Sequence, residues 1–160
     1  MPINVPNKVI LHCAVTPDYK PIGKNYNRFT ADDIRYWHIQ RGFDQIGYHT
    51  VVERSGTIEH ICRPHTIRGA HCKSRKGNIN SLGVCYIGTK KLTPNQVDAL
   101  VDLFLLYHDK YGIGPSDWLG HCELDPKHKP DCPGVSMEML RKIFELALVI
   151  EKVGASGLIN

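Results

Sequence analysis

The sequence predicts an α/β fold: a single domain with a central mixed β-sheet flanked by helices. Three observations predict it. Two short runs, "KVILHC" (Lys8 to Cys13) and "SLGVCYIG" (Ser81 to Gly88), are nearly all apolar, as expected of strands buried inside a sheet. Two longer segments, opened by Thr30 and Thr93, combine helix-start chemistry with helical spacing of apolar residues. Strand-like and helix-like segments are mixed along the chain, with no repeat, low-complexity tract or linker, so residues 1–160 read as one domain without a separate binding module.

Taken in order, Lys8–Cys13 is a short buried strand that carries a histidine at its end. Residues 15–29, "VTPDYKPIGKNYNRF", are rich in Pro, Gly and Asn and read as a loop. Thr30 is an N-cap, with Asp32 and Asp33 in the first turn, Ile34, Trp37 and His38 at helical spacing, and Gly42 as the stop. "YHTVVERSGTIEHIC" (Tyr48 to Cys62) reads as two strands joined by a turn at Arg54-Ser55-Gly56. A basic loop over 63–80 leads into the Ser81–Gly88 strand, whose apolar character makes it central. Thr93, Pro94 and Gln96 open a helix with Val97, Leu100, Val101, Phe104 and Leu105 on one face. "WLGHC" (Trp118 to Cys122) is strand-like. Ser136 opens a last helix to about Val153, and its run from Leu146 to Ile150 predicts burial nearly all round.

Composition narrows the class. Hydrophobic residues at 42% and charged residues at 22% are those of an ordinary globular domain. A formal charge of +4 favours approach to an anionic polymer, nucleic acid or cell wall, without choosing between them. "MPINVPNKVILHC" lacks the basic start and apolar run of a signal peptide, and no segment reaches the roughly 18 apolar residues of a membrane span. The expectation is synthesis in the cytoplasm, with the six cysteines reduced. No CxxC pair is present, which argues against a zinc ribbon or a thioredoxin-type motif.

The chemistry concentrates at strand ends. His12 ends the first strand, His121 ends a late one, and Asp131 or Cys132 follows in a Pro-rich loop. Catalytic zinc sites draw three protein ligands from His, Cys and carboxylate and leave a fourth position open. Nine histidines offer many such triples, so the residues alone leave other readings standing. His12 could be a core histidine bonded to a carbonyl, His121 a loop residue, and Cys132 a small buried apolar group.

The ordered set "ILHCAVTP", "IRYWHIQRGFDQIGYHTVVERSGTIEHIC", "GAHCKSRKGNINSLGVCYIG", "LTPNQVDALVDLF" and "GHCELDP…DCPG" resembles the N-acetylmuramoyl-L-alanine amidases of the phage-lysozyme and peptidoglycan-recognition type, from about Lys8 to Phe144. The resemblance implies a zinc ion with His12 and His121 as ligands. It places Tyr48, from "GYH", beside the metal, where its phenol would donate to a developing oxyanion or take part in proton transfer. It makes His71 a candidate substrate contact.

The third ligand departs from the family's pattern. Cysteine-using members place their cysteine closer to the second histidine than Cys132 stands to His121. Asp131 meets the spacing of an aspartate-using branch, the cytosolic wall-recycling amidases. The "CPG" block nevertheless belongs to the cysteine users, and thiolate is the stronger zinc ligand. A short loop insertion before that block costs little. Cys132 is therefore expected on the metal, with Asp131 the rival, and Lys129, ahead of Lys127, as the cation facing the oxyanion.

The resemblance thus implies zinc-dependent hydrolysis of the bond between N-acetylmuramic acid and L-alanine. It suits a monomeric phage endolysin that reaches the wall after release from the cytoplasm, with peptidoglycan as substrate and neither nucleic acid nor membrane insertion involved. The rivals are a non-catalytic peptidoglycan-binding module and a muropeptide-recycling amidase. A cysteine-nucleophile hydrolase built on Cys132 and His121 would leave His12 without a role.

Overall fold

A computed structural model describes residues 3–17, 20–22, 25–60 and 62–156. Its sheet is assembled from β1 (Lys8–Cys13), β4 (Thr50–Val52), β5 (Ile58–Glu59), β6 (Ser81–Tyr86) and β7 (Trp118–Gly120), in the order β5-β4-β6-β1-β7. β1 pairs in parallel with β6 and with β7, β4 pairs in parallel with β6, and only β5 runs antiparallel. β6, expected to be central from its nearly apolar run, is the middle strand and is buried along its whole length.

Strand alternation divides the side chains of β1 and β6 between two faces. Val9, Leu11, Leu82, Val84 and Tyr86 point to one side. There α2 (Pro94–Tyr111) and α4 (Met137–Ser156) cover them with Leu100, Leu103, Phe104, Tyr107, Leu140 and Phe144. Phe104 and Phe144 stack at 4.5 Å between ring centroids, and Trp118 meets Phe144 edge-on at 4.9 Å. The opposite face carries α1 (Ala31–Gln40), whose Ala31 and Ile34 pack with Phe29, Ile46, Val51 and Ile87 in a smaller cluster. His12 belongs to this less covered face.

The caps form as their residues dictate. The Asp33 carboxylate accepts from the Thr30 amide at 2.9 Å and from its hydroxyl at 3.2 Å, and Gly42 follows α1 at φ +84, a left-handed conformation that favours glycine. Thr93 accepts from the Gln96 backbone at 3.1 Å, and buried Gln96 also donates to the Ile87 carbonyl at 2.8 Å, tying the helix start to the sheet. The buried face of α2 is centred on Leu100, Leu103, Phe104 and Tyr107. Val97, Val101 and Leu105 are its half-buried flank.

Three expectations need correction. The segment read as a plain loop holds a short antiparallel pair, β2 (Lys20–Ile22) with β3 (Asn25–Asn27); its residues 18–19 and 23–24 lie outside the described residues. The end of α4 is not buried all round. Leu146, Val149, Ile150 and Val153 are between 57% and 67% exposed, because nothing among the described residues packs outside that face. The early strand pair is also shorter than its apolar run, with β4 and β5 joined across residues 53–57 and Ile61 outside the described residues. No helix among the described residues is long and apolar enough to cross a membrane.

Candidate metal centre

The parallel pairing of β1 with β7 sets Leu11 opposite Gly120, and this brings His12 beside His121. His121 stands one residue past β7, at the head of the single-turn helix α3 (His121–Leu124). The two imidazoles lie 4.4 Å apart between centroids, and both are buried.

The chain then winds through successive turns. The Lys129 amide donates to the Asp125 carbonyl at 2.9 Å, and the Cys132 amide donates to that of Lys129 at 3.2 Å. The Cys122 amide reaches the Cys132 carbonyl at 2.6 Å, and Tyr86 Oη donates to the Pro133 carbonyl at 2.5 Å. Gly120 lets this loop close down, since a Cβ there would stand 2.8 Å from Pro133 Cδ.

The outcome is a triad. One ligand-type atom from each of His12, His121 and Cys132 lies within 4.8 Å of the others, with Cys132 Sγ 4.0 Å from His12 Nδ1. His121 Nε2 is buried and has no hydrogen-bond partner among the described residues, the position of a nitrogen that awaits a ligand. Two imidazoles and a thiol are a donor set that zinc takes in open, catalytic geometry, so the residues fit the ion that the resemblance implies. Asp131, the rival, is exposed on the rim and is no part of the triad.

Electrostatics leave both imidazoles ready to bind a metal. Burial holds His12 well below its ordinary pKa, helped by the neighbouring His71 and His121. Burial, then the charge of Lys129, also lowers His121. Both rings are thus neutral at pH 7, with a lone pair to give. The Cys13 thiol falls to about 7, chiefly through its hydrogen bond with Cys132; that same bond and then burial raise Cys132. All six cysteines are free.

The triad opens into a cleft of about 690 Å³, within the size range of small-molecule sites. Tyr48 lines it, half-buried, its ring 5.2 Å from that of His12. Burial and then the nearby thiols hold its phenol well above the usual range, so it remains an O–H donor. Lys129 is on the cleft wall and Lys127 is not. The sequence reading did not single out Arg41, Phe43, Lys73 or Lys90, which also line the cleft. Solvated basic residues leave no signal in spacing, and only the fold gathers them.

His71 lines the inner wall of the cleft. It is 8% exposed, and both ring nitrogens have protein partners: Nδ1 faces His12 Nε2 at 3.0 Å and Cys72 Sγ at 3.3 Å, and Nε2 faces Ser81 Oγ at 3.3 Å. His49, the histidine of "GYH", is fully buried; its Nδ1 accepts from the Gly83 amide at 2.8 Å.

Residues 2–135 match the N-acetylmuramoyl-L-alanine amidase family. The endolysin of Escherichia phage T7 is 31% identical over 111 residues, covering 64% of this chain and 67% of that protein. The endolysin of Enterobacteria phage K11 is 28% identical over 149 residues, 88% of each. Among solved structures, N-acetylmuramoyl-L-alanine amidase LysC from Clostridium intestinale superposes with a TM-score of 0.71 at 27% identity, covering 91% of both chains.

Proposed function

The chain belongs to the N-acetylmuramoyl-L-alanine amidase family, and from that premise we propose that His12, His121 and Cys132 hold one zinc ion that serves its hydrolysis of peptidoglycan as a phage endolysin. The observation that carries the metal reading is the triad of two buried histidines and half-buried Cys132, with His121 Nε2 left unpartnered among the described residues. Zinc in such a site lowers the pKa of a bound water to roughly 7 and polarises a carbonyl.

The chain's own groups do the rest. The cleft positions the amide linking N-acetylmuramic acid to L-alanine with its carbonyl facing Tyr48. As water adds to the carbonyl carbon, negative charge develops on the oxygen. The Tyr48 phenol, kept protonated, donates a hydrogen bond to that charge. Lys129 faces it with an ammonium whose field already reaches His12 and His121. The carbon–nitrogen bond then breaks, and the alanine amine leaves with a proton. The chain acts as a monomer on the wall after release from the cytoplasm, with neither nucleic acid nor membrane insertion involved.

Elemental analysis beside a wall-lysis assay tests this. Wild type should carry one zinc, and a chelator should abolish lysis. Cys132→Ala should lose the metal and more than about 100-fold in activity, beyond what removing a group behind a ligand usually costs, while Asp131→Asn stays within about threefold. A zinc-free protein that binds walls but never cleaves them would sink the proposal.

A further inference from the structure

Granting zinc at His12, His121 and Cys132, we propose that His71 is a positioning residue: it accepts the His12 Nε2–H and so keeps the His12 Nδ1 lone pair aimed at the metal. The chain of hydrogen bonds behind it leaves little choice of tautomer. Ser81 Oγ donates to the Gly77 carbonyl at 2.7 Å, so toward His71 Nε2, 3.3 Å away, it offers only lone pairs. His71 Nε2 therefore carries the ring's hydrogen, and in a neutral imidazole Nδ1 is then bare.

That bare nitrogen meets two donors, His12 Nε2 at 3.0 Å and Cys72 Sγ at 3.3 Å. His12 must accordingly hold its hydrogen on Nε2. Its Nδ1, on the side where Cys132 Sγ lies at 4.0 Å, is left as a ligand atom. Ligating histidines usually spend their second N–H on a carboxylate, a carbonyl or water, which fixes the ring's orientation. Here an imidazole takes that place.

The surroundings hold His71 for this task. A Cβ at Gly69 or at Gly83 would each come within 2.4 Å of His71 Cδ2, so two glycines make the slot for the ring. Asn78 Oδ1 accepts from the backbone amides of His71 at 3.0 Å and Cys72 at 2.9 Å, and its Nδ2 donates to the Cys72 carbonyl at 2.7 Å. Ring and backbone are both clamped. With both nitrogens spent, the ring has no polar atom left for substrate. The second His/Cys group, His12, His71 and Cys72, is on this reading a hydrogen-bonded support and not a second metal site.

Zinc affinity, measured by competition with a chromophoric chelator, separates these roles. His71→Ala should weaken zinc binding 10–100-fold, whereas His71→Asn, whose Oδ1 can stand in for Nδ1, should stay within about threefold of wild type. Ser81→Ala, which frees His71 to adopt the other tautomer, should weaken binding by roughly three- to tenfold. In the zinc-loaded wild type, long-range proton–nitrogen NMR correlations should place the His12 hydrogen on Nε2; this needs no variant and decides the matter should His71→Ala fail to fold. Unchanged zinc affinity in His71→Ala with only KM raised would restore the substrate-contact role and overturn the proposal. So would two zinc ions per chain, or ligation of His12 through Nε2. A wild type that takes up no zinc would overturn the metal reading itself, an outcome visible before any variant is made.

Discussion

On one face of the sheet, β1 and β6 present Val9, Leu11, Leu82, Val84 and Tyr86 to two helices; on the other, the same strands present His12, Gly83 and Cys85. The covered face is mainly aromatic and aliphatic, packed under α2 and α4. The second face is closed by α1 over only part of its area, and the uncovered part holds buried imidazoles, thiols and the cleft. One pair of strands thus supplies stability through one set of alternate residues and chemistry through the other. Substitutions on the two faces should therefore fail in different measurements.

The largest separation is expected at Phe144. It is fully buried, stacked on Phe104 and met edge-on by Trp118. Phe144→Ala should cost about 3–5 kcal/mol in urea unfolding and leave the zinc affinity of the folded fraction unchanged. Lost zinc affinity at full folding would mean that the faces are mechanically coupled.

This division also explains what could be read in the sequence. β1, β6 and the starts of α1 and α2 were legible because their signals are local: apolar runs, Thr30 with Asp33, and Thr93 with Pro94 and Gln96. The β2–β3 pair was hidden behind Pro21 and the Asn-rich composition. His12 and His121 stood out as histidines at strand ends. Whether Asp131 or Cys132 joins them could not be decided from spacing, because adjacent residues in a loop point differently according to turns that only backbone hydrogen bonds define. The partners of His71 were further out of reach, since 59 residues separate it from His12 and the slot that holds its ring is made by glycines.

A smaller effect should appear in the pH dependence of the two faces. Burial lowers His49 to about 4, and the ordinary value, 6.5, applies to the unfolded chain. Between these values the unfolded state binds a proton that the folded state refuses. Its stabilising contribution is therefore complete above about pH 6.5 and is lost as pH falls toward 4. One such group costs at most about 1.4 kcal/mol per pH unit, or about 2 kcal/mol between pH 6.5 and 5. His12, His71 and His121 are shifted in the same direction. His49→Gln should flatten the stability–pH slope by up to one proton, measured in chelator so that zinc binding does not contribute. An unchanged slope would move the acid sensitivity away from this face.

The smallest effect is expected within α4 itself. Phe144 and Leu146 are two residues apart on one helix, yet Phe144 is fully buried and Leu146 is 58% exposed. The apolar run from Leu146 to Ile150 suggested uniform burial, but hydrophobic composition sets what a helix can bury, and neighbouring elements set what it does bury. Glutamine matches leucine in helix propensity, so Leu146→Gln removes apolar surface without weakening the helix. In water that surface is already solvated, and the change should stay within about 0.5 kcal/mol of wild type in urea unfolding. A loss above about 1.5 kcal/mol would show that something covers this face in solution, and the contrast along α4 would have to be redrawn.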